Sequence, residues 1–144
     1  MNENVNDNMN GSDDRFGEYA GIINYLSGFI KEVGMEMLEL REGYCRGRII
    51  LTEKHNNPMG TVHGGVIFSL ADTVGGTAEL TYGSKIVTLN SNINYLSPGK
   101  NTEYIEAEAY VVKNGRTTAV VDVMVRNAEG KDIAKVTNTY YKTT

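Results

Sequence analysis

NNPMGTVHGGVIFSLAD, residues 56–72, is a polar loop broken by Pro and Gly that runs directly into an apolar segment holding one acid. Pro58 disfavours helical geometry at Asn57, and Gly60 adds a second break two residues later. Val66 to Leu80 instead carries apolar residues at helical spacing, with few breakers before Gly75-Gly76. A helix is therefore expected to begin close to Gly64. Its first N–H groups have no intrahelical acceptor and sit at the positive end of the helix dipole, so they suit a developing oxyanion. Glycine at that point lets a carbonyl approach without a Cβ in the way.

On the N-terminal side, residues 1–14 (MNENVNDNMNGSDD) offer almost nothing apolar to offset the entropy of ordering and read as a flexible polar tail. From residue 15 to residue 144 the chain reads as a single domain. Phe16, Tyr19, Ala20, Ile23 and Leu26 recur at three- and four-residue spacings, which predicts a short amphipathic helix ending near Ser27-Gly28. Phe29 to Leu40 and Tyr44 to Thr52 then read as two strands joined by a Glu42-Gly43 turn.

On the C-terminal side nearly everything is strand. Val87, Leu89, Ser91, Ile93 and Tyr95 alternate with Thr88, Asn90, Asn92 and Asn94, giving one mainly apolar and one polar face. Pro98-Gly99 ends that strand. Ile105, Ala107, Ala109 and Val111 alternate with Tyr104, Glu106, Glu108 and Tyr110, and the small Ala side chains leave room for a helix to lie close. Asn114-Gly115 is a strong hairpin signal whose central positions tolerate positive φ. Thr117 to Arg126 and Ile133 to Tyr141 form an antiparallel pair across a turn at Asn127 to Gly130. The expectation is an α+β domain: one antiparallel sheet of about six strands, the last four in a meander, wrapped around a long central helix. Val66, Ile67, Leu70, Ala71, Val74 and Ala78 supply that helix with its apolar surface.

Composition bounds the function. At 144 residues and 40% hydrophobic content the chain supports one core and not two. A net charge of −4 without any Lys/Arg cluster argues against a nucleic-acid partner, so an anionic ligand must be met by local cations. Cys45 stands alone, and with two His at unrelated spacings it makes no recognisable metal site; no metal and no cofactor are expected. No run is long and apolar enough to cross a bilayer and no leader pattern opens the chain, so a soluble protein of the reducing cytoplasm is expected.

Four motifs in order, Asn57-Pro-Met-Gly-Thr-Val-His63-Gly64-Gly65, Leu70-Ala71-Asp72, Asn92-Ile-Asn-Tyr95-Leu96-Ser-Pro98 and Gly115-Arg116-Thr117-Thr118, resemble the hotdog-fold acyl-CoA thioesterases of the phenylacetate-degradation type. The resemblance covers the chain after the tail. It implies that the Gly64 amide polarises the thioester carbonyl, assisted by the Asn57 side chain. Asp72 would then act as nucleophile or as general base on water, and Thr88 would hold that water. His63 shapes the loop. Gly65 and Asn92 belong to the substrate-facing motifs, Gly115, Arg116 and Thr117 lie where coenzyme A runs out to solvent, and Lys100 is a further cation placed to meet its phosphates.

Plainer readings stand beside these. Ser69, Asp72, Gly76 and Glu79 recur at helical spacing and could form a polar stripe. His63 suits capping, Asn57 suits a turn, Thr88 suits any strand, Arg116 suits a hairpin, and Glu79, Glu106 and Glu108 suit solvated surface. The two function classes are acyl-CoA thioester hydrolysis and non-catalytic acyl-CoA binding. Gly64 and Asp72 are eight residues apart, or about 12 Å along one helix, which is too far for one carbonyl to touch both. If both serve one thioester, Asp72 must come from a second chain, and a homodimer or dimer of dimers with sites at the subunit interface is expected.

Overall fold

The computed structural model describes residues 14–26 and 28–143. Residues 1–13, almost all of the expected tail, lie outside the described residues, as does Ser27 at the expected helix end. Among the described residues six strands, β1 (Met35–Arg41), β2 (Tyr44–Ile50), β3 (Ile86–Tyr95), β4 (Tyr104–Asn114), β5 (Thr118–Asn127) and β6 (Asp132–Lys142), join one antiparallel sheet in the order β1-β2-β4-β5-β6-β3. Two helices, α1 (Phe29–Val33) and α2 (Gly64–Leu80), complete it together with 3₁₀ segments at Asp14–Tyr25 and Glu53–His55. The helix α2 begins at Gly64, and the sequence placed its start close to that residue. Gly75-Gly76 does not stop it.

Four expectations about the path of the backbone are corrected. The first segment is 3₁₀ rather than α, kinked at Gly17 where φ is 53°. Phe29 to Val33 is one helical turn rather than the start of a strand. Gly34 closes it at φ 89° by donating its N–H to the carbonyls of Ile30 and Lys31. The last four strands are not one meander, since β3 crosses to the far edge and pairs with β6 while β4 pairs with β2. Alternation within a strand carries no information about its neighbour. Finally, neither Asn114 nor Gly115 has positive φ. Glycine is needed at 115 because a Cβ there would lie 2.6 Å from the Thr118 carbonyl oxygen.

The core is the interface between α2 and the sheet. Ile67, Leu70, Ala71, Val74 and Ala78 are buried against Ala107, Ala109, Val121, Val123 and Ile49. Each fully buried Leu, Ile or Val contributes roughly 1.5–3 kcal/mol by leaving water. As an edge strand β3 is largely uncovered: Val87 and Leu89 are 53% and 60% exposed, and a register slip between Thr88 and Asn90 resets its alternation.

Glu79 is not solvated surface as expected. It is 0% exposed, neither carboxylate oxygen accepts a hydrogen bond, and Lys142 Nζ lies 3.9 Å from Oε2 while donating to Asn114 Oδ1. Burial raises its pKa above 4.5, with Lys142 opposing. Above that ordinary value the folded state retains a proton that the unfolded chain has lost, so stability falls as pH rises through the window. Glu79→Gln is therefore expected to raise the melting temperature at neutral pH, with the advantage over the native protein vanishing below about pH 4.5.

Candidate active site

The loop before α2 is built to leave one donor free. Asn57 Oδ1 accepts from the N–H groups of Met59 (3.0 Å) and Thr61 (3.1 Å), and its Nδ2 donates to Thr61 Oγ1 (2.9 Å), leaving one amide hydrogen uncommitted. The turn role of Asn57 is thus real. His63 caps the helix: its N–H donates to the carbonyl of His55 (2.8 Å), and its Nδ1 accepts from Gly65 N–H (2.8 Å). Val66 and Ile67 donate to the His63 carbonyl. Of the four N–H groups that a helix leaves open at its start, only that of Gly64 keeps no partner here. Gly65, expected among the substrate-facing residues, borders a cleft beside Gly64, but its own N–H is already engaged by His63. Gly64 opens into a cleft of about 390 Å³ lined by Gly65, Ile67, Tyr95, Leu96 and Pro98. Tyr95 OH donates to the Gly64 carbonyl (2.8 Å), fixing the peptide on its other side.

Asp72 lies in the middle of the same helix and faces a different cleft, of about 450 Å³. Thr88 Oγ1 donates to its Oδ1 at 2.8 Å. Tyr140 OH donates to its backbone carbonyl at 2.8 Å and lies 3.3 Å from Oδ1. Asn138 Nδ2 in turn donates to Tyr140 OH at 3.1 Å and to the Ala71 carbonyl at 3.4 Å. The carboxylate is held at Oδ1 while Oδ2 stays unpartnered. Burial and the neighbouring Asp72 push the Tyr140 hydroxyl well above its usual pKa, so it remains a donor.

Tyr95, Asn138 and Tyr140 did not stand out as site residues in the sequence. A signal existed, because Val136, Asn138 and Tyr140 share one face of β6 with buried residues, and an Asn at an inward position needs a partner.

The remaining expected residues are dispersed within one chain. Asn92 is exposed on β3 and borders neither cleft; its Oδ1 accepts from Asn94 Nδ2 at 3.4 Å. Lys100 is exposed in the loop before β4, near the Gly64 cleft that Gly99 borders. Gly115, Arg116 and Thr117 form the hairpin at the other end of β4, roughly 33 Å away. That hairpin adjoins the end of β6, where Lys142 N–H donates to Thr117 O and Thr143 N–H to Lys85 O. Among the described residues no three His, Cys, Asp or Glu side chains converge on a metal position, and no helix is long and apolar enough to cross a membrane.

A family model described as the thioesterase superfamily matches residues 59–134. The chain is 31% identical over 104 residues to the acyl-coenzyme A thioesterase PaaI of Escherichia coli, covering 72% of this chain and 74% of that one. The solved E. coli PaaI structure superposes with a TM-score of 0.82 at 26% identity, covering 88% and 92% of the two chains. Human acyl-coenzyme A thioesterase 13 is 41% identical over 86 residues, 58% of this chain and 61% of that protein. A thioesterase protein of Streptococcus pneumoniae solved with coenzyme A gives a TM-score of 0.75 at 33% identity, over 78% and 90% of the chains.

The tether under Asp72 depends on the absence of a side chain at Gly75, where a Cβ would lie 2.7 Å from Tyr140 OH and 3.0 Å from Asn138 Nδ2. Gly75→Ala is expected to cost about 1–3 kcal/mol in urea unfolding. The cost should shrink in a Tyr140→Phe background, where the crowding oxygen is gone.

Proposed function

The chain belongs to the thioesterase superfamily, with the hotdog fold of its phenylacetate-degradation type, and we propose that it hydrolyses an acyl-CoA thioester to free coenzyme A and a carboxylic acid at a site shared by two chains. The observation that carries this reading is the single unpaired N–H at the start of α2, on Gly64, opening into a cleft. A preorganised donor of this kind is worth about 3–4 kcal/mol to a transition state that places charge on the carbonyl oxygen. The uncommitted amide hydrogen of Asn57 assists it, and His63 keeps the loop in shape by spending its Nδ1 on Gly65.

Asp72 supplies the other half through its free Oδ2. As general base it takes a proton from water while the water oxygen attacks the carbonyl carbon. As nucleophile it attacks the carbon itself, and water then cleaves the anhydride. In either route the C–S bond breaks and coenzyme A leaves as the thiol once protonated. Thr88 spends its hydrogen on Asp72, and its lone pairs remain able to accept from water. The polar-stripe reading of Asp72 does not require such a tether: Thr88 donates to the carboxylate, and Tyr140, to which Asn138 donates, holds the Asp72 backbone carbonyl.

Because the two halves lie about 12 Å apart on one helix, we assign them to different protomers of a two-fold dimer, which can pair again into a tetramer. The arrangement also reconciles the cations. Lys100 sits at the Gly64 end of a chain and Arg116 at the sheet end that adjoins the Asp72 cleft, so one from each protomer would flank the same coenzyme A, with Gly115 and Thr117 shaping the hairpin that carries Arg116. The exposed Val87 and Leu89 beside Asp72 are surface that a partner would cover. We take residues 15–144 as one domain; residues 1–13 of the expected tail lie outside the described residues, and Asp14 opens the first 3₁₀ segment.

Thiol release from a panel of acyl-CoAs tests the reaction, and binding without release would make the protein an acyl-CoA binder instead. Asp72→Asn is expected to lower kcat at least about a hundredfold while leaving the melting temperature nearly unchanged. Mixing inactive Asp72→Asn with a variant blocked at Gly64, under conditions that exchange subunits, is expected to restore activity because each heterodimer carries one intact site. Proven exchange without recovered turnover would sink the shared site.

A further inference from the structure

We propose that the acyl chain lies in the groove running along α2 from Asp72 to Leu80, and that the enzyme selects unbranched, apolar acyl groups of medium length. The proposal rests on the thioesterase reading of Asp72 and goes beyond it by naming the substrate class and the residues that set it. Asp72, Gly76 and Leu80 follow one another at four-residue intervals on one helix face and all border the same cleft of about 450 Å³. Eight residues of helix make the groove about 12 Å long. Its volume falls in the range of sites that enclose drug-sized ligands, about 300–1,000 Å³, and an acetyl group would leave most of it wet.

Each wall has a distinct origin. Gly76 leaves a trough in the helix surface, and a Cβ there would come within 3.4 Å of Ile86 Cδ1 and 3.5 Å of the Tyr140 ring, so the trough is about one methyl group deep. Ile86 closes the β3 side. The opposite wall is Ile30, with Leu26 beside it, and Ile30 reaches the cleft because Phe29–Val33 forms a helical turn. That turn leaves Phe29 63% exposed while Ile30 is half-buried. Leu80 stands at the far end. The lining carries two charged side chains: Asp72, at the reacting end, and Lys85. Leu26, Ile30, Leu80, Ile86 and Val87 make the wall mainly apolar, which favours an apolar chain.

Each methylene drawn out of water into such a groove improves binding by about fourfold. Thiol release measured with acetyl-, butyryl-, hexanoyl-, octanoyl- and dodecanoyl-CoA is therefore expected to show kcat/KM rising at least tenfold from butyryl to octanoyl. Two substitutions then move the profile in opposite directions. Gly76→Ala fills the trough at ordinary van der Waals distance and should lower the octanoyl-to-butyryl ratio about tenfold. Ile30→Ala removes wall and should shift the optimum toward dodecanoyl, circular dichroism confirming that both variants are folded. Thiol release with a flat chain-length profile, or with ratios that neither substitution changes, would overturn the groove assignment. Absence of thiol release from every acyl-CoA would overturn the thioesterase reading and this proposal with it.

Discussion

The close approach of α2 to the sheet is the constraint on which everything else depends. It is possible only because facing positions lack bulk. A Cβ at Gly47 would lie 2.9 Å from Val74 Cγ2, one at Gly75 would lie 2.7 Å from Tyr140 OH, and Ala107 and Ala109 are fully buried under the helix. The helix is consequently enclosed from Val74 to Glu79, and its orientation is over-determined by packing on several strands. The same closeness explains the cost at Glu79, whose carboxylate has been drawn into the interface with no hydrogen-bond donor in reach of it and only Lys142 nearby.

Rigidity at the helix start has a second source in His55, a buried residue that links three segments. Its Nδ1 accepts from Thr52 N–H at 3.0 Å, its Nε2 donates to the Val33 carbonyl at 2.6 Å, and its own carbonyl accepts from His63 N–H. The loop that carries Asn57 and His63 is thus pinned to α1 and to the end of β2. Preorganised donors are effective because they need not reorganise as charge develops. His63 contributes by subtraction: in engaging Gly65 it leaves the Gly64 N–H as the one open position.

What the sequence made legible was local. The Pro58 and Gly60 breaks, the His63-Gly64-Gly65 start and the apolar spacing through Ala78 placed the start of α2 close to Gly64, where it is found, and the alternation in 105–111 matched β4 with its alanines inward. Long-range relations were not legible. Nothing in the alternation of 86–95 says that β3 pairs with β6 rather than with β4, and nothing in Glu79 itself distinguishes a surface acid from an enclosed one. The apolar run at 29–33 fits strand and helix equally until Gly34 is seen to close a turn. Gly64 and Asp72 drew notice because motifs carry them, and Thr88 only through the family resemblance, whereas Tyr140 and Asn138 acquire meaning only from the helix laid over them.

The chemistry of the two clefts is complementary in a way that their separation alone does not require. At the helix start there is an open N–H donor and no carboxylate among the lining residues. At Asp72 there is a carboxylate with an open oxygen, while the Thr88 hydroxyl is committed to its other oxygen and the Tyr140 hydroxyl to its backbone carbonyl. A thioester in the first cleft would be polarised but not attacked; one in the second would face an attacking group with its carbonyl charge unbalanced. Bringing the donor end of one chain against the acid end of another supplies each with what it lacks, and two-fold symmetry does so twice at once. On this reading the length of α2 sets the spacing of the two half-sites, and the close packing that fixes the helix also fixes the distance across which two chains must meet.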